Sequence, residues 1–137
     1  MYKSIMVPVD LGHADKLGKA LTTAADLAKH YGSKITYVGV TGTAPSSTAH
    51  NPEEYAEKLE AFAHKAGTEA GVGVASRSVH VPDVAADLNA ALRDAADEIG
   101  ADLVVMASHV PSFADLIVGS HAGHLAGHAS MSVFVVR

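Results

Sequence analysis

The sequence predicts an α/β fold: an open, mainly parallel sheet of five strands with four helices on both of its faces. Three observations carry this reading. Short apolar runs of strand length alternate along the chain with longer amphipathic segments, the pattern of strand–helix units. The runs are nearly continuous in aliphatic residues, as strands buried on both faces are. The chain has 137 residues, 48% of them hydrophobic and 18% charged, so residues 1–137 suit one globular domain. With no Trp and only 5% aromatic residues, its core must be aliphatic.

Ser4-Ile5-Met6-Val7-Pro8-Val9 is an apolar run ended by Asp10 and a turn at Gly12, and it reads as a strand buried on both faces. From about Ala14 to His30, the residues Leu17, Ala20, Leu21, Ala24 and Ala28 recur at helical spacing, and Gly32 supplies the stop. Lys34 to Val40 is a second strand. Thr41 to Pro52, rich in Gly, Ser, Thr and Pro, is a loop. Glu53 to Glu69 forms a second helix, with Tyr55, Leu59, Phe62, Ala63 and Ala66 on one stripe. Its Glu54, Glu57, Lys58 and Lys65 lie elsewhere and read as a solvated face.

Gly71 and Gly73 end that helix, and Val74 to Val81 alternates as a third strand. Pro82-Asp83 leads into a third helix that ends before Gly100; either Asp83 or Asp87 can serve as its N-cap. Asp102 to Ala107 is the fourth strand, Gly119 to His128 the fourth helix and Ser132 to Val136 the fifth strand. No repeat, low-complexity tract or linker interrupts the series.

Charge and composition exclude several function classes. Fifteen acidic against ten basic residues give a net charge of −5, and no Lys/Arg stripe is present to neutralise a nucleic-acid backbone. No apolar run approaches the roughly 20 residues of a membrane-crossing helix. Met1-Tyr2-Lys3 leads into a strand rather than a signal peptide, and the expectation is a cytoplasmic protein. The lack of Cys removes disulfides, thiol catalysis and thiolate-bound metal. Ser108-His109 are adjacent in sequence, which does not place nucleophile and base face to face, and no nucleophile-elbow pattern occurs.

In open parallel sheets, ligands bind beyond the carboxyl ends of the strands, where strand order reverses. That rule selects the segments after strands one, two and four. Asp10, at the end of the first strand, is an acceptor for ribose hydroxyls or an adenine amino group, or else a cap for the following turn. Ala107-Ser108-His109-Val110-Pro111 opens a loop that closes on Gly119-Ser120-His121 at the start of a helix. A helix N-terminus supplies free N–H groups, Gly119 permits close approach and Ser120 adds a hydroxyl; these are phosphate-binding parts, although Gly-Ser before a helix is also an ordinary N-cap.

Together, Ile5 to Asp10, Ala101 to His109, Val118-Gly119-Ser120, His128-Ala129 and Val133 to Val136 resemble the universal stress protein family along nearly the whole chain. The resemblance implies a Rossmann-like sheet in the order 3-2-1-4-5 and a homodimer through the last strand, Ser132 to Val136. It also implies an adenine-nucleotide site, in which Pro8, Val9, Asp10 and Val40 surround adenine and ribose. Ala107, Val110, Gly119 and Ser120 then occupy phosphate-loop positions, with Ser108, His109 and His121 beside them. The loop looks like a shorter-loop branch of the family with an Ala-Ser-His start.

From Asp94 to Val136 there is no Lys or Arg, and Pro111 removes one N–H. Charge compensation for ATP or AMP must therefore come from the helix terminus, Ser120, a histidine, magnesium or a cation elsewhere in the fold. The expected function is a nucleotide-responsive stress or regulatory protein with weak, magnesium-dependent binding that signals through its loop or dimer to a protein partner. The competing expectations are an interaction dimer that binds no nucleotide, and slow ATP hydrolysis or self-phosphorylation with His109 as the one general base in sight. His121, His124 and His128 share a helix face at i, i+3 and i+7, but without an acidic fourth ligand they read as solvated or interface residues rather than a metal site.

Overall fold

The apolar runs become strands and the amphipathic segments helices in a computed structural model of the chain, which describes residues 1–108 and 131–137. The strands are β1 (Ser4–Pro8), β2 (Lys34–Thr41), β3 (Val74–His80), β4 (Leu103–Ala107) and β5 (Ser132–Val136). The helices are α1 (Gly18–Tyr31), α2 (Pro52–Ala70) and α3 (Val84–Ile99), and a 3-10 helix spans Leu11–Lys16. One five-stranded sheet results, in the expected order β3-β2-β1-β4-β5. Its described pairings are all parallel. The helix expected over Gly119 to His128 lies outside the described residues.

β1 is central, pairing Ile5 with Ile35 on one side and with Leu103 on the other. Its continuous apolar sequence follows from that position, because both faces of the strand are covered. Successive residues of β2 show how. The Tyr37 ring meets Phe62 of α2 edge-on, with centroids 5.7 Å apart. Val38 and Val40 instead line a recess with Val84, Leu88 and Leu92 of α3. Period-two alternation thus sends one set of side chains to α1 and α2 and the other to α3. Ile5, Ile35, Val38, Leu59 and Val105 expose no surface, which forms the expected aliphatic core.

The helix ends are chemically specified. α1, α2 and α3 each stop at a glycine in the left-handed region, Gly32, Gly71 and Gly100. Asp83 caps α3 by accepting from the Ala86 N–H at 3.3 Å, while Asp87 accepts from the Asp83 N–H at 3.2 Å. The two candidate caps therefore act as a reciprocal pair, with Asp83 as the N-cap.

Several boundaries differ from the sequence expectation. The first helix does not start near Ala14: the 3-10 helix comes first, and α1 begins at Gly18. Thr41 belongs to β2, and Pro52 is the first residue of α2, where a missing N–H costs nothing. β3 shows no alternation in burial, because as an edge strand it is partly covered along its length. β5, the other edge, leaves Val133 38% and Phe134 44% exposed.

At the amino end of the sheet, Asp102 precedes β4 instead of belonging to it. Its carboxylate accepts from the Lys3 N–H at 2.9 Å and the Ser4 N–H at 3.1 Å. Around it, the Ser33 hydroxyl donates to the Tyr2 carbonyl and the Tyr2 hydroxyl to Ser132 Oγ.

Candidate functional site at the carboxyl ends of the strands

The order β3-β2-β1-β4-β5 reverses direction between β1 and β4, so a crevice is expected beyond their carboxyl ends. β1 continues one hydrogen bond past its last residue: the Val9 N–H donates to the Val38 carbonyl at 2.8 Å. Asp10 then turns the chain. It is the N-cap of the 3-10 helix, accepting from the Gly12 N–H at 3.0 Å through Oδ1 and pairing with His13 Nδ1 at 2.9 Å through Oδ2. Of the two readings of Asp10, the cap is thus observed, and its side chain still keeps 25% of its surface open.

Beside this turn lies a solvent-open recess of roughly 340 Å³, lined by Val9, Asp10, Val38, Val40, Val84, Leu88 and Leu92. Among the described residues, the walls of this slot are aliphatic side chains and the Asp10 carboxylate. Of the expected site residues, Val9, Asp10 and Val40 come together here. Pro8 ends β1 directly below, paired with Val38. Ala107 is buried at the end of β4, and the Ser108 N–H donates to the Val136 carbonyl at 2.9 Å; neither lines the recess. His109, Val110, Gly119, Ser120 and His121 lie outside the described residues, as does the His121, His124 and His128 triplet. Among the described residues no group of three or more His, Asp or Glu is placed to hold a metal ion.

Sequence reasoning did not single out Val38, Val84, Leu88 and Leu92 as part of this wall. The signal was present as an i, i+4, i+8 apolar stripe on α3, but a stripe that faces a recess reads like one that faces the core.

Behind the slot, on the opposite face of β2, Tyr55 from the first turn of α2 lies over Gly39. A β-carbon at Gly39 would stand 2.4 Å from the Tyr55 hydroxyl, so the close approach requires glycine. Burial, then the negative charge of Asp10, push the Tyr55 phenol well above its ordinary value. It stays protonated, a neutral neighbour to the site's carboxylate. No helix among the described residues is long and apolar enough to cross a membrane.

The family model for the universal stress protein family matches residues 1–137. Universal stress protein G of Salmonella typhimurium is similar to the chain, 29% identical over 146 aligned positions that cover 100% of both proteins. Among solved structures, a universal stress family protein from Burkholderia pseudomallei superposes with a TM-score of 0.69 at 27% identity, covering 98% of this chain and 96% of its own. The universal stress protein from Archaeoglobus fulgidus in complex with dAMP gives 0.66 at 21% identity, over 99% and 98% of the two chains. Another universal stress protein, in complex with cAMP, gives 0.67 at 20%, over 99% and 97%. At these last two identities the likeness is one of fold. Matched by the family model from end to end and sharing the sheet order that the resemblance implied, the chain belongs to the universal stress protein family.

Proposed function

We propose that this single-domain protein is an adenine-nucleotide-binding regulator of the stress response, taking ATP or AMP at the carboxyl ends of β1, β2 and β4. The observation that carries the reading is the recess of Val9, Val38, Val40, Val84 and Leu88, an apolar slot for a flat base with the Asp10 carboxylate beside it. Pro8, Val9, Asp10 and Val40 hold the adenosine half. In the same reading Ala107, Ser108, His109, Val110, Gly119, Ser120 and His121 are the positions assigned to the phosphates, with magnesium as counter-ion. The fold relatives solved with dAMP and cAMP support an adenine ligand. The exposed Val133 and Phe134 on an edge strand support a homodimer through β5, since pairing would cover them. Binding, rather than turnover, is the function in this reading, and occupancy is passed to a partner through the loop or the dimer.

Calorimetric titration with AMP, ATP and GTP, with and without magnesium, tests it. Heat is expected with the adenine nucleotides, and Val40→Glu is expected to weaken AMP by at least about tenfold by placing an unpaired carboxylate in the slot. No heat with any of them at millimolar ligand overturns the reading and leaves an interaction dimer that binds no nucleotide. That second reading has its own support, because both oxygens of Asp10 are already engaged by Gly12 and His13.

A further inference from the structure

On the other side of the Asp10 turn, the face of α2 that reads as merely solvated closes against two loops. Lys58, Ala61, Phe62 and Lys65 stand at i, i+3, i+4 and i+7 on that helix, and they share a shallow groove with Leu11, Gly12, Ser47 and Thr48. Its volume is roughly 930 Å³ including the open mouth. The loop wall is built rather than slack. Ser46 Oγ accepts from the N–H groups of Thr48 at 3.2 Å and Ala49 at 3.3 Å, and Ala49 is buried. Lys58 Nζ donates to the Thr48 carbonyl and lies 3.3 Å from Glu54, which fixes its ammonium against the loop.

Charge separates this groove from other recesses of the surface. The recess along β3 and α3 is lined by Asp87, Asp94 and Glu98 with Arg77 and His80. The one between α1 and α2 carries Asp26 and Glu69 with Lys29. Among the described residues, the lining of the α2 groove holds two lysines and no carboxylate, with Glu54 paired to Lys58 just outside it. On a chain of net charge −5, Lys65 is the lysine of that lining whose charge no ion pair among the described residues offsets. Ser47 and Thr48 share the groove with it. On the turn side, the Asp10 carboxylate oxygens are engaged by Gly12 and His13. Phe62 and Leu11 complete the lining with apolar surface.

We propose that this groove is a second binding site, for a small phosphate ester whose organic part is apolar or aromatic. Lys65 would neutralise the phosphate, with Lys58, shared with Glu54, beside it; the Ser47 and Thr48 hydroxyls would donate to it, and Phe62 with Leu11 would receive the organic part. The site does not depend on the nucleotide reading. It does share the turn of residues 10–13 with the recess: a β-carbon at Gly12 would stand 3.3 Å from Asp10 Oδ1 and 3.6 Å from Thr48 Oγ1.

The test is an NMR titration of isotope-labelled protein with phenyl phosphate and with inorganic phosphate, at ionic strength held constant with chloride. Saturable shifts are expected at the amides of Gly12, Thr48 and Lys65, with tighter binding for the phenyl ester. Lys65→Gln, an exposed change that leaves the fold intact, is expected to weaken phenyl phosphate by about tenfold. Shifts that do not saturate, that survive Lys65→Gln unchanged, or that appear only around Val9, Val40 and Ser108 overturn the proposal. The last outcome would place the phosphate ester in the nucleotide recess, so the two sites can fail independently.

Discussion

The two ends of the sheet each carry an aspartate whose side chain accepts hydrogen bonds, from two backbone N–H groups at one end and from one backbone N–H plus a histidine ring at the other. At the amino end, Asp102 reaches the N–H groups of Lys3 and Ser4, 99 and 98 residues away in sequence. At the carboxyl end, Asp10 reaches Gly12 and His13, two and three residues away. The first carboxylate stitches β4 to β1 and, with Tyr2, Ser33 and Ser132, closes its end of the sheet. The second caps its own turn, beside the recess. The same side chain makes a seam where its partners are distant in sequence and a capped turn beside the opening where they are near.

The largest expected effect is at Gly39, where packing behind the recess is tightest. Gly39→Ala would put a β-carbon 2.4 Å from the Tyr55 hydroxyl and 2.9 Å from its Cε1. A loss of about 2–3 kcal/mol is expected by urea denaturation, and Tyr55→Phe in the same background should recover part of it by removing the nearest atom. Next come the two aspartates. Asp102→Ala should cost about 1–2 kcal/mol for two lost charge-assisted bonds near the surface, with AMP titration unchanged. Asp10→Ala should cost about 1 kcal/mol as a lost cap and should also weaken AMP. If Asp10→Ala proved the more destabilising of the two and left nucleotide binding untouched, the contrast between seam and opening would fail.

The smallest effect is at Glu54. Its carboxyl is held down to about 2, from an ordinary 4.5, by the His50 backbone N–H first, then by the His50 ring and Lys58. A depressed carboxylate contributes stability that is fully present above its unfolded value and lost as pH falls through the folded one. The urea midpoint should therefore drop between about pH 4.5 and 2, and Glu54→Gln should flatten a small part of that drop.

The fold was legible because its strongest signals are local. Aliphatic runs at Ile5 to Val7 and Leu103 to Met106 announce strands covered on both faces, and Gly32, Gly71 and Gly100 mark helix ends by backbone conformation alone. The first turn after β1 was less legible. Leu17, Ala20, Leu21 and Ala24 give the helical period, but nothing in that period separates a 3-10 turn at Leu11–Lys16 from the start of α1. Within the site, Asp10 follows from the strand-end rule, while Val9 and Val40 follow from the family resemblance. The α3 wall of Val84, Leu88 and Leu92 does not, because apolar spacing reports that a face is covered and not by what. The role of Asp102 was hidden for a related reason: its partners are fixed by strand order, not by neighbouring sequence.

The reach of that clamp also bears on how the chain acquires its structure. Joining Ser4 to Asp102 closes a loop of nearly the whole described chain, and such long-range pairings are entropically costly to form early. The turn at Asp10, by contrast, can form as soon as its few residues meet. A contact made late in folding contributes little to the transition state, so its strength governs how slowly the native chain opens rather than how fast it forms. The Asp102 seam is thus expected to act as a brake on unfolding, at the end of the sheet opposite the recess.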